Sequence, residues 1–207
     1  MERKPMSVPP VIIAGATLVI LLIVVATVWR NTLHRPDLRG TWTSVACEQT
    51  AGGLGRTLGL KRTYEFTGGE WKTRVDYFAE DTCENPTFSF ETKGSYELGD
   101  ESEEVEGATH GEFLISSIAL TPHIPDAAQV FEQSRCGNAQ WEVGVSTEVG
   151  GSGCLEVAPK ISDCPTIFNL VKRENNLIYF ADNVEGQSLC KTGEWPKQLN
   201  PAALKKL

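Results

Sequence analysis

Three histidines are all the imidazole the chain has. Gly-x-Ser-x-Gly, His-Glu-x-x-His and Gly-Lys-Ser/Thr do not occur in it, which excludes a nucleophile elbow, a zincin helix and a phosphate-cradling loop. His34 follows the longest apolar run, while His110 and His123 read as surface or loop histidines, so no enzymatic activity is expected. Gly52, Gly53, Gly55 and Gly59 then read as a flexible loop between strands. Cys-x-x-Cys is also missing, and the closest pair, Cys154 and Cys164, has no neighbouring histidine, so a zinc site is not expected. The acidic run Glu97, Asp100, Glu101, Glu103, Glu104 and Glu106 lacks the spaced ligands of a calcium loop and reads as a solvated hairpin. No metal or cofactor is expected. No Asn-x-Ser/Thr sequon is present, since Asn85 is followed by proline.

Basic residues are scarce beyond residue 35. From Pro36 onward 15 Lys and Arg stand against 26 Asp and Glu, a formal net charge of −11. Nucleic acid is excluded as a partner, because phosphate binding needs a basic face.

Charge of either sign is absent between Lys4 and Arg30, and this gap is the longest feature of the sequence. Pro9–Trp29 supplies the roughly 20 apolar residues that a helix needs to cross a hydrocarbon core. A secretory h-region would be shorter and would end in a small-x-small cleavage site, whereas this run ends in Ala-Thr-Val-Trp. A globular helix would carry polar residues at its own period, yet only Thr17 and Thr27 interrupt the apolar core. The expected organisation is a short tail over 1–8, a transmembrane signal-anchor over 9–29, a stem over 30–39, one domain over 40–190 and an irregular C-terminal tail over 191–207. Arg3 and Lys4 on one side balance Arg30 and Arg35 on the other, so basic residues leave the orientation open. The cysteines decide it. Cys47, Cys83, Cys136, Cys154, Cys164 and Cys190 all follow the span, which points to disulfides in an oxidising compartment and a type II arrangement with the domain outside. Pairing in chain order, 47 with 83, 136 with 154 and 164 with 190, is expected.

Beyond the stem the apolar period falls to two. Trp71, Thr73, Val75 and Tyr77 alternate with Lys72, Arg74 and Asp76; Phe88 and Phe90 alternate with Ser89 and Glu91. Trp141, Val143 and Val145 repeat the pattern, and Leu114, Ile118 and Leu120 extend it. Gly68-Gly69 and Asn175-Asn176 mark hairpins. About ten short strands are predicted, over 40–48, 60–67, 70–79, 87–98, 102–108, 112–121, 140–149, 153–158, 166–173 and 177–182, with one helix over Pro125–Gln133. The class is all-β, an antiparallel barrel of about 8–10 strands with one short helix, which removes exposed edges; a two-sheet sandwich is the alternative. A barrel of about eight strands is either filled by side chains or holds one small ligand. Trp42, Tyr64, Phe66, Trp71, Tyr77, Phe88, Phe90 and Trp141 are the candidate ligand-binding aromatics, and the same residues could serve simply as core.

Several blocks together resemble a known family: GTWTSVACE at 40–48, KRTYEF at 61–66, WKTRVDYFAEDTCENPTFSFETKGSY at 71–96, EVEGATHGEF at 104–113, CGNAQWEVGV at 136–145, GC at 153–154 and IFNLVKRENNLIYF at 167–180. They are similar to the extracellular domain of the adenomatosis polyposis coli down-regulated family, animal membrane proteins that antagonise Wnt signalling and have lipocalin-like barrels. The block with Cys83, Asn85, Pro86 and Thr87 is the most specific. The resemblance implies a lipocalin-like barrel that holds an acyl chain and so engages a lipid or a lipid-modified protein. Family members in animals resemble two such domains in tandem with a span after them, whereas here one copy follows the span. The competing expectation is a protein-interaction module with a filled core and no ligand, acting through its acidic outer face.

Overall fold

The computed structural model describes residues 35–51, 57–138, 140–155, 157–181, 189–190 and 194–207. The Pro9–Trp29 segment lies outside them, and among the described residues no helix is long and apolar enough to cross a membrane. Pro36–Leu207 forms one unit.

The period-two segments become strands β1 (Gly40–Ser44), β2 (Glu48–Ala51), β3 (Thr57–Thr67), β4 (Glu70–Phe78), β5 (Pro86–Glu101), β6 (Ala108–Pro122), β7 (Thr147–Glu148), β8 (Thr166–Glu174), β9 (Leu177–Phe180) and β10 (Leu204–Lys206). Eight of them close an antiparallel barrel in the order β1, β10, β9, β8, β6, β5, β4, β3, with β3 pairing back to β1. Strand β2 continues the line of β1 along β3, and β7 adds to the outer part of β6. Closure leaves each of the eight with a partner on both sides, so the charged alternate residues face water and the apolar ones face inward. Gly68 and Gly69, both at positive φ, turn β3 into β4, and Asn175, also at positive φ, turns β8 into β9. Among the described residues the one α-helix, α1, Pro125–Gln133, starts at a proline and buries Ala128 and Phe131.

One end of the barrel is shut. Leu38, in the lead-in to β1, is buried there, and the Trp42 indole N–H donates to the Leu38 carbonyl at 2.6 Å. Behind them Phe66, Trp71, Tyr96, Phe113 and Phe180 interlock, with ring centroids 5.1 Å apart for Phe66–Tyr96 and 5.3 Å for Trp71–Phe113. Residues 36–39, read from sequence as stem, therefore belong to the barrel unit.

Disulfides join Cys47 to Cys83, Cys136 to Cys154 and Cys164 to Cys190, the pairing expected in chain order. The first ties the break between β1 and β2 to the β4–β5 connection. The third pins the segment around Leu189, which covers the outer face of β8 at Leu170 together with Leu199.

Four expectations change. Residues 102–107 are the β5–β6 connection, not a strand: the Ser102 hydroxyl accepts the N–H groups of Glu104 and Val105 and curls the chain. Over 140–149 only Thr147–Glu148 pairs; a turn that bonds the Gly144 N–H to the Pro122 carbonyl breaks the ladder and leaves Val143 and Val145 exposed. At 153–158 a tight turn lets Cys154 and Ala158 exchange backbone bonds once, which is too short for a strand. The C-terminal tail is not irregular to its end, since β10 buries Leu204 and closes the barrel between β1 and β9.

Candidate functional site

Cross-strand register sorts the interior into layers, because residues directly opposite each other share a face. At the closed end Phe66 stands beside Trp71, both buried. In the next layer Tyr64, Thr73, Thr92 and Ile118 follow one another across β3–β6, and only Tyr64 keeps part of its surface accessible. Then come Arg62, Val75, Phe90 and Leu120, of which the first three are half-buried; last come Leu60, Tyr77, Phe88 and Pro122, and again only the β6 residue is buried. Inward-facing side chains thus gain accessible surface layer by layer away from Trp42. The barrel interior is sealed at one end and partly accessible along β3–β5 at the other, where Phe131 of α1 reaches Phe88.

This divides the sequence-predicted aromatics. Tyr64, Tyr77, Phe88 and Phe90 line the open half, where Tyr77 and Phe88 stack with centroids 4.6 Å apart. Trp42, Phe66 and Trp71 are core of the closed half. Trp141 belongs to the same buried core and holds the helix: it packs on Phe131 at 4.8 Å and donates its indole N–H to the Cys136 carbonyl, while Phe131 reaches the inward Phe88 at 5.5 Å. Burial first, and then Tyr64, pushes the Tyr77 hydroxyl above its usual range, so it stays neutral in this apolar wall.

Three lining groups escaped the sequence reading. Arg62 points inward, donating from Nε to Glu48 Oε1 at 2.9 Å and from Nη2 to the Ala202 carbonyl at 2.8 Å. Ser44 joins them, its hydroxyl donating to Glu48 at 2.6 Å and accepting the Arg62 backbone N–H at 2.8 Å. Both charged side chains are only 12% exposed. Burial opposes the Arg62 charge, but Tyr64 and Glu48 outweigh it and hold the guanidinium above its ordinary range. The third group is Thr92, whose buried Oγ1 has no hydrogen-bond partner among the described residues. The signal for Arg62 was present: it occupies the inward phase set by Leu58, Leu60, Tyr64 and Phe66, and its charge concealed it.

On the outer wall His123 meets Ser89 and Asp76. Ser89 Oγ donates to Asp76 and accepts from Arg74 Nη2 at 2.8 Å; its separation from His123 Nε2 is 2.6 Å. Arg74 Nη2 also lies 3.5 Å from the same ring nitrogen, so His123 joins a network with one carboxylate, one guanidinium and the fully buried Ser89. Burial, and then the Arg74 charge, hold His123 below its usual pKa, with Asp76 pulling the other way. A depressed folded-state value means that neutral His123 favours the fold. Its contribution is complete above the unfolded value of about 6.5 and is lost as pH falls through the folded value. Urea midpoints of wild type and His123→Gln should therefore converge as pH drops from about 7.5 to about 5. A difference that stays constant over that range would rule out this linkage.

The acidic character gathers on another outer face. Glu103, Glu104, Glu194 and Lys197 rim a cleft of about 550 Å³ whose wall is the His110–Trp195 stack, with centroids 4.2 Å apart. His110 is thus a wall residue of that cleft.

A closed eight-stranded antiparallel barrel agrees with the fold that the sequence blocks implied, and the three disulfides follow the chain-order pairing expected from the cysteines. A family model described as Adenomatosis polyposis coli down-regulated 1 matches residues 25–192, and the chain belongs to that family.

Proposed function

We propose that this chain is a membrane-anchored, outward-facing module that binds an acyl group, borne by a lipid or a lipid-modified protein, in the open half of its barrel. The observation that carries the reading is the graded exposure of inward residues on β3–β5, from buried Phe66 to half-buried Leu60, Tyr77 and Phe88. Inward apolar surface that stays partly accessible although its rings pack on the core is surface that a hydrocarbon chain can cover, at roughly 25 cal/mol per Å² removed from water. The family's lipocalin-like character and its lipid-modified signalling partners support the same ligand class. Three disulfides suit an oxidising compartment, and the Pro9–Trp29 run suits the anchor. Binding, not catalysis, is the proposed activity.

Photoactivatable acyl probes test it on the full, oxidised chain in nanodiscs. Capture should map to β3–β5. Phe90→Trp, which enlarges a half-buried inward ring, should weaken capture by about tenfold or more, because overfilled interiors exclude their contents, while the urea midpoint changes little. The alternative is a filled module that docks a partner through its acidic face, where the Trp195 cleft offers a shaped surface. In that case no acyl probe labels the interior. Trp141→Ala would then cost stability through lost packing on Phe131, without a separable binding effect.

A further inference from the structure

We propose that the cleft walled by His110 and Trp195 docks an arginine side chain from an exposed basic segment of a partner protein. The cleft lies on the outer wall, so the proposal does not rest on the acyl reading; it supplies the chemistry for docking through the acidic face. The segment containing Leu189 and Leu199 crosses the outer face of β6 and β8, where His110 stands opposite Leu170. It is held at both ends, by the Cys164–Cys190 disulfide and by the Ala181–Leu199 bridge. Between it and the curled β5–β6 connection lies a gap of about 550 Å³, within the roughly 300–1,000 Å³ that small-ligand sites occupy. Trp195 gives the gap a fixed aromatic wall. Its indole stacks on His110 at 4.2 Å and meets Phe168 nearly at right angles at 5.3 Å, yet it stays only half-buried.

Three carboxylates, Glu103, Glu104 and Glu194, stand around this wall against one cation, Lys197. The Ser102 hydroxyl sets the first two on the rim, because accepting the N–H groups of Glu104 and Val105 curls the connection there. Lys197 reaches Glu104 at 3.3 Å, with the two side chains 70% and 52% exposed. So exposed a pair is screened and exchangeable, and it shows that the rim seats a cation. A guanidinium suits the rest of the site better than an ammonium: it is planar, lies against an indole, forks toward two carboxylates and is weakly hydrated. The net charge of −11 from Pro36 onward draws such a group in. Ser102 points to a peptide as its bearer. It is 8% exposed and lines the cleft, and among the described residues nothing accepts its hydroxyl proton. A main-chain carbonyl beside the arginine would take that proton, whereas a free amine has no acceptor to offer.

The test titrates a capped Gly-Gly-Arg-Gly-Gly peptide bearing a diazirine against the full, oxidised chain in phosphatidylcholine nanodiscs, with empty nanodiscs subtracted. Capture should map to residues 102–104 and 194–197. The same peptide with citrulline, the neutral isostere of arginine, should need at least about tenfold higher concentration. Glu103→Gln/Glu104→Gln should weaken capture about tenfold. Asp126→Asn/Glu132→Gln removes the same charge from exposed positions on α1 and should leave capture within about twofold of wild type. Lys197→Gln removes the competing cation and should strengthen capture about threefold, a gain that a damaged fold would not give. Equal capture of the arginine and citrulline peptides overturns the proposal, and so does an equal loss in the two double variants. Capture of neither peptide by the folded chain overturns it too. The acyl reading is judged separately, since its probes map to β3–β5.

Discussion

Trp42→Ala should destabilise the unit by about 3–5 kcal/mol, the range for deleting a large ring from a packed interior. Trp42 has no exposed surface. It stands between Tyr64 on β3 and Lys206 on β10, at the seam where the first and last strands complete the barrel. Alanine would leave a cavity there and strip two cations, Arg173 and Lys206, of the ring they cover. It would also remove the indole N–H that holds the Leu38 carbonyl, and with it the lead-in that shuts this end. Trp42→Phe separates the contributions. It keeps most of the packing but loses the donor, and should cost about 1–3 kcal/mol. Urea unfolding of the oxidised chain measures both; a loss below about 1.5 kcal/mol for alanine would show that the shut end is not held by this ring. The acyl site proposed above lies toward the other end, so wherever the variant remains folded its probe capture should match wild type.

How far the sequence spoke depended on whether a strand kept one phase. Strand β4 does, and Trp71, Thr73, Val75 and Tyr77 are all inward as the alternation required. Alternation cannot tell depth, however. Trp71 is sealed in the closed end and Tyr77 lines the partly accessible half, although only the five residues 72–76 of one alternating pattern join them. Depth comes from the closure of the lead-in over one end, which a period of two does not encode. Strand β6 changes phase. Register runs Lys93 with Ser117 and then Gly94 with Ile115, so Ser116 is an extra residue. The slip turns Phe113 and Ile115 inward and leaves Leu114, expected beside Ile118 and Leu120, half exposed. Val143 and Val145 show the converse failure, since their alternation mimics a strand in a loop whose backbone bonds go elsewhere. Strand β10 has a single apolar residue, Leu204, too little pattern to read. The buried Arg62–Glu48 pair was hidden because a sequence shows charge but not its partner.

The same bulge yields the sharpest contrast between two like substitutions. Gly94→Ala should cost about 3 kcal/mol, whereas Gly99→Ala, five residues further along β5, should stay within about 0.5 kcal/mol of wild type. A methyl at Gly94 would lie 1.8 Å from the Leu114 carbonyl oxygen and 2.9 Å from its carbon, backbone atoms that cannot rotate aside. At Gly99 the nearest neighbour is His110 Cβ at 3.7 Å, an ordinary contact. Both changes restrict the unfolded chain equally, so their difference belongs to the folded state. The Leu114 carbonyl turns over Gly94 because Ser116 is extra, and in that position it accepts the Trp71 indole N–H at 3.2 Å. Here β6 also exchanges partners: residues up to Leu114 pair with β8, and Ala119 and Leu120 pair with β7. Glu148 secures the exchange by accepting from the Ser117 hydroxyl and the Ile118 N–H. A side chain at Gly94 would force the bulge open and loosen Trp71, and with it the wall between the packed and the open half. Gly94→Ala should therefore lower acyl capture as well as stability, while Gly99→Ala changes neither. Equal stability of the two variants would show that the barrel bends elsewhere.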